Sequence, residues 1–122
     1  MPIYERGDVV LIDYPFLTAA GTQQKLRPAL IVSDHTVSRR FPDDLMLATI
    51  TSQHLTNLTA NELEIHASHP DFGGTGLRAT SIVRLDFVMT VPASLVSRKI
   101  GKLPDTLMGK VDTCLKRSLG LK

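Results

Sequence analysis

The stretch KLRPALIVSD, residues 25–34, decides the fold class. Ala29, Leu30, Ile31 and Val32 form an unbroken apolar run of the length of a buried strand. Pro28 cannot donate to a sheet ladder, so it belongs at the first position of a strand or on an edge. It also pushes Arg27 into an extended conformation. Arg27 is thereby held at a strand entrance, either as part of a plain sheet edge or as a guanidinium aimed by a rigid neighbour.

Working outward, similar short runs recur. RGDVVLIDYPF begins with a turn at Gly7-Asp8 and continues as a strand that Pro15 is expected to end. Leu17–Lys25, small and polar with Gly21, reads as a mobile loop. LMLATITSQ, Leu45–Gln53, is apolar until it opens into hydroxyls, and NELEIHA alternates as a half-buried strand with Leu63 and Ile65 on one face. LRATSIVRLDFVMTV reads as a strand pair or one long bent strand, and SRKIGK as a short one. The end of the chain differs. Leu103, Leu107, Val111, Leu115 and Leu119 recur every four residues, with Met108 and Cys114 alongside, which is one stripe of an amphipathic helix. Pro104 suits its first turn, Asp105 its positive end, Lys116 and Arg117 its negative end, and Gly120 its stop. Gly109 inside it costs about 1 kcal/mol relative to alanine and is expected to mark a close packing contact. Six or seven strands without βαβ alternation, followed by one helix, predict a mainly β fold: a small, strongly bent antiparallel barrel with a C-terminal amphipathic helix.

The 122 residues are expected to form a single domain, 1–122. An apolar fraction of 43% and a charged fraction of 21% are those of an ordinary globular protein. A net charge of +2 permits an anionic partner without arguing for one. The single cysteine, Cys114, excludes an intramolecular disulfide and fits a reducing, cytoplasmic setting. The start MPIYERGD lacks the apolar segment of a signal peptide, and no run is long enough to span a bilayer, so no membrane partner is expected. Tryptophan is absent and aromatics are 5%, which argues against base recognition on a broad aromatic platform.

Most candidate chemistry reads as plain structure. His66 and His69 are close in sequence but lack a paired ligand motif, so no metal is expected. Cys114 on the apolar helix stripe reads as a small hydrophobe. FGGTG, Phe72–Gly76, lacks the lysine and the strand-to-helix context of a phosphate loop and reads as a flexible hairpin connection. Arg39 and Arg40 read as solvated loop charge. Arg27 and the hydroxyls of ATITSQ remain. Thr49, Thr51 and Gln53 share one face of that strand by its period of two. A guanidinium donates two parallel hydrogen bonds to a phosphodiester, and a nearby threonine hydroxyl can hold the same phosphate.

Taken in order, RGDVVLIDY, RPALIVSD, LMLATITS, TGLRATSIVRLDFVMTV and KIGKLPDTLMGKVDTCLKRSLGL resemble the MazF/PemK (Kid) family of toxin–antitoxin endoribonucleases over nearly the whole chain. The resemblance implies an SH3-like barrel that works as a homodimer. It implies metal- and cofactor-independent cleavage of single-stranded RNA at a short sequence. It implies control by a cognate antitoxin protein, with DNA engaged only through the antitoxin complex. It places catalysis on Arg27 and Thr51. Ser52 and Gln53 follow directly as RNA-binding candidates, as do Thr22, Gln23, Gln24 and Lys25 in the segment that covers RNA and is displaced by the antitoxin. The chain departs from the family at Gln23 and Gln24, where many relatives carry a glutamate, and at Met89, where an arginine is common. Two other readings share the fold. One is a non-catalytic partner-binding module. The other is a gyrase poison like the related CcdB proteins, which depend on a tryptophan-containing tail that this chain, ending LGLK, lacks.

Overall fold

Six antiparallel strands form one sheet in the order β4-β5-β3-β2-β1-β6, followed by a helix, in the computed structural model of the protein. The strands are β1 (Asp8–Thr18), β2 (Gly21–Ile31), β3 (Asp44–Thr51), β4 (Glu62–Ile65), β5 (Ser81–Pro92) and β6 (Val96–Lys102); α1 is Asp105–Leu119. The structure describes residues 3–18, 21–53 and 55–122, and the side chains of 14–18 and 21–25 fall outside the description.

Both faces of the sheet are covered, which is why its strands read as near-continuous apolar runs. Val9, Leu30, Ala48, Ile50 and Val83 pack on one face against Leu107, Met108 and Val111 of α1. Val10, Ile12, Ala29, Ile31 and Leu47 pack on the other, beneath Tyr4, Met89 and Leu95. Gly7, at φ +98°, joins three elements: its N–H donates to Ile31 O at 2.8 Å, and its carbonyl accepts from Leu103 N at 2.9 Å. β5 is the long bent strand. Its pairing with β3 jumps from Ala48↔Val88 to Thr49↔Arg84, and its first half also pairs with β4. α1 ends at Gly120 in the left-handed conformation, φ +71°, as its sequence predicts.

Three expectations are corrected. Leu17, Thr18 and Gly21–Lys25 are not loop: β1 runs through Pro15 to Thr18 and pairs with β2 out to Thr18↔Gly21. Pro15 is tolerated because β1 pairs with β6 only as far as Ile12↔Val96, so beyond that point one side of β1 is an edge. FGGTG is an ordered 3-10 turn, Phe72–Thr75, rather than a flexible connection. Gly109 marks no close contact, since a Cβ built there meets nothing within 4 Å.

Pro28 lies inside β2, not at its first position, yet it does occupy an edge. Val32 donates to Met46 O on β3 at 2.9 Å, and Ile31 O faces Gly7 on the opposite side. Backbone groups alternate sides along a strand, so Leu30 and Pro28 also face β3. Pro28 has no N–H to give there, and the β2–β3 ladder stops at Ala29↔Thr49. The two strands part at the position the proline occupies.

Candidate active site

A cleft of about 510 Å³ opens where β2 and β3 separate. Arg27 and Pro28 line it from β2, Ile50 and Thr51 from β3, and Ser52 and Gln53 from the segment that follows. The register of the ladder, continued past Ala29↔Thr49 by two residues on each strand, sets Arg27 opposite Thr51. Of the residues singled out in the sequence, Arg27, Thr51, Ser52 and Gln53 are thus brought together. Thr22, Gln23, Gln24 and Lys25 lie on β2 opposite Leu17, Phe16, Pro15 and Tyr14 of β1, and their side chains lie outside the described residues.

The hydroxyl of Thr51 has a defined polarity. Its Oγ1 accepts the N–H of Gln53 at 3.1 Å, in the turn that ends β3. That bond leaves its proton and a second lone pair for a ligand in the cleft. Ser52 and Gln53 are exposed, so both can reach a ligand without rearrangement.

Two residues that sequence reasoning passed over share this cleft. Arg98 lies on β6, in the row Pro28↔Leu11↔Arg98 that crosses three strands on one face. The β1–β6 register shifts on both sides of the Val10–Leu11 step, and bulges of this kind re-aim side chains beside functional sites. Arg78 follows the 3-10 turn. That turn is pressed onto β6 by two glycines: a Cβ on Gly76 would come within 2.1 Å of Ile100 O, and one on Gly101 within 2.3 Å of Thr75 O. Thr75, fully buried, stiffens the turn, donating to Phe72 O at 2.7 Å and accepting from Leu77 N at 3.1 Å. Neither arginine carries a sequence signal of its own, because only the topology brings β6 and this turn to the mouth of β2. The described residues lining the cleft include three arginines and no acidic side chain.

The histidine and cysteine candidates stand apart. His66 Nδ1 is 2.7 Å from Ser68 Oγ, and His69 Nδ1 accepts from Asp71 N at 3.1 Å; both organise local turns. Cys114 packs in the core, where burial pushes its thiol above the ordinary value. A second groove, about 680 Å³, lies around Tyr4, His35, Val37 and Pro92 and is mainly apolar.

A mainly β protein with a basic cleft at a fork between strands is equipped to hold an anionic backbone. Comparison with known proteins gives the family. Residues 5–119 match the family described as PemK-like, MazF-like toxin of type II toxin–antitoxin system. The chain is 30% identical over 120 residues to endoribonuclease EndoA of Bacillus subtilis, covering 98% of this chain and 97% of that protein. Among solved structures, it resembles an endoribonuclease in complex with its cognate antitoxin from a mycobacterial species (TM-score 0.74, 22% identity, 98% of both chains). It also resembles the Mycobacterium tuberculosis toxin MazF-mt6 (TM-score 0.71, 22% identity, 94% of this chain and 98% of that one). The chain belongs to the PemK-like, MazF-like toxins of type II toxin–antitoxin systems.

Proposed function

We propose that the protein is an endoribonuclease that cuts single-stranded RNA at a short sequence, without a metal, by attack of the ribose 2′-oxygen on the adjoining phosphorus. The observation that carries this reading is that Arg27 and Thr51 line one cleft, from the two sides of the fork where the β2–β3 ladder ends, together with Arg78 and Arg98. RNA brings its own nucleophile, so the protein has to orient it, stabilise charge on the pentacoordinate phosphorus and let the leaving oxygen take a proton. The O2′–P bond forms as the 2′-hydroxyl gives up its proton to solvent, and the P–O5′ bond breaks as O5′ takes a proton from solvent, giving a 2′,3′-cyclic phosphate and a 5′-hydroxyl. In this step Arg27 neutralises the equatorial oxygens, and Thr51 donates its hydroxyl proton as a hydrogen bond to one of them. Ser52 and Gln53 contact the flanking nucleotide. Thr22, Gln23, Gln24 and Lys25, on the β1–β2 ribbon, contact RNA and are covered by the antitoxin. The resemblance to an endoribonuclease solved with its cognate antitoxin supports an antitoxin partner here as well. The reading also includes a homodimer, DNA contact only through the antitoxin complex, and a cytoplasmic setting.

The test is cleavage of a long single-stranded RNA in the presence of chelator, with ends mapped by primer extension. Wild type is expected to give discrete cuts ending in cyclic or 3′-phosphate, and an all-DNA strand to stay intact because it lacks the 2′-hydroxyl. Arg27→Ala is expected to lose roughly 10²–10³-fold in kcat, the usual effect of removing one transition-state donor, with an unchanged circular dichroism spectrum. Folded wild type that leaves RNA intact would move the assignment to the partner-binding module.

A further inference from the structure

Cleavage as described uses Arg27 and leaves Arg78 and Arg98 without a role. Both line the same cleft, and both are exposed. Among the described residues neither has a hydrogen-bonding or ion-pair partner, whereas Arg6 is paired with Asp112 and Arg84 with Asp86. Two exposed cations lining one cleft repel each other, an arrangement that costs stability unless an anion fills it. Their mounting is rigid. Arg98 is fixed by the β1–β6 pairing, and Arg78 follows a turn locked to β6 through Gly76 and Gly101. β6 lies two strands from β2, about 10 Å away, so Arg98 is displaced from Arg27 across the sheet rather than stacked on it.

We infer that Arg78 and Arg98 form a clamp for the phosphate next to the one being cut, so that the RNA backbone is gripped at two successive phosphates. The clamp deepens the ribonuclease reading and takes its substrate from it, but it is a binding device and is measurable without cleavage. Phosphate contacts set register and affinity and carry no base information. The clamp therefore adds affinity for the strand and leaves the recognised sequence unchanged.

The experiment measures binding of a fluorescein-labelled, fully 2′-O-methylated RNA oligonucleotide, which has the same phosphates but no nucleophile, by anisotropy over a range of salt. Arg78→Gln and Arg98→Gln are each expected to weaken binding about tenfold at low salt. Each should also lower the slope of log affinity against log salt by about 0.7, the single-strand value per phosphate contact. In cleavage, KM rises by a similar factor while kcat and the cut sequence hold. Arg40→Gln, an exposed arginine outside the cleft, should leave the slope unchanged. Arg78→Lys and Arg98→Lys should restore the slope while losing part of the affinity, since the charge stays and the fork is lost; they also serve should the glutamine variants fail to fold. Binding that depends on both arginines in a protein that cuts no RNA would sustain the clamp and sink the cleavage assignment. A double glutamine variant with wild-type melting, slope and KM would overturn the clamp, as would wild type that binds no RNA.

Discussion

Single residues divide into those whose chemistry the sequence displays and those whose meaning depends on neighbours distant in the chain. Arg27 and the hydroxyls of β3 could be singled out because they sit at the polar ends of apolar strands, and the family resemblance narrows the hydroxyls to Thr51. Arg78 and Arg98 could not, because their shared location depends on β6 crossing beside β1 and on a glycine-to-backbone contact between two remote segments. Gly109 shows the converse error. A glycine inside a helix suggests a tight neighbour, but here the position faces open space. Its only effect is then the extra backbone freedom of the unfolded chain. Gly109→Ala is expected to stabilise the protein by about 1 kcal/mol, raising the melting temperature by roughly 4 °C in a thermal scan, with RNA cleavage unaffected.

At the scale of elements, strands and helix are legible from periodicity, and connections are not. The β1–β2 ribbon looks like loop because its residues are small and polar, and backbone pairing rather than composition carries it to Thr18↔Gly21. The connection after β2 holds a pH-sensitive contact of the same non-local kind. Ser33 Oγ accepts the N–H of Met46 at 3.1 Å and lies 2.6 Å from His35 Nε2. Ser33 Oγ donates its proton to a neutral His35 ring, and its second lone pair accepts from a protonated one, so the pH dependence rests on the shift of the ring and not on loss of this bond. Burial first, and the charge of Arg39 second, hold His35 below its ordinary value of 6.5, against a smaller opposing pull from Asp34. The unfolded chain therefore takes up this proton more readily than the native one. The contribution of His35 is intact above pH 6.5 and is lost as pH falls through the lower native value. Melting temperatures between about pH 5 and pH 7.5 should fall more steeply on acidification for wild type than for His35→Gln.

For the whole molecule, the sequence establishes the architecture more firmly than the surface. A mainly β chain ending in a helix follows from the apolar runs and the four-residue stripe. Which surfaces remain open follows only from the packing. Ile3, Val37 and Phe41 are 87%, 58% and 65% exposed, and Ile3 and Val37 border the apolar groove around Tyr4, His35 and Pro92. Apolar surface of this kind is suited to a second copy of the chain. Sedimentation at micromolar concentration is expected to show a species of twice the 13.4 kDa chain mass; a monomer under those conditions would remove the homodimer from the proposed function.

Pro28 bears on how such a molecule can be inactivated. Sheets extend spontaneously wherever a donor meets an acceptor, and Ile50 stands next in line on β3. Any other residue at position 28 supplies the missing N–H and lets the seam between β2 and β3 run one step further, drawing Arg27 and Thr51 toward each other's backbone. A substitution there removes no hydrogen-bonding group from the cleft, and its expected cost to stability is the roughly 0.4–1 kcal/mol by which proline restricts the unfolded chain. Under the proposed function, Pro28→Ala is therefore expected to lower RNA cleavage, read by primer extension, because the sheet closes over the fork between Arg27 and Thr51.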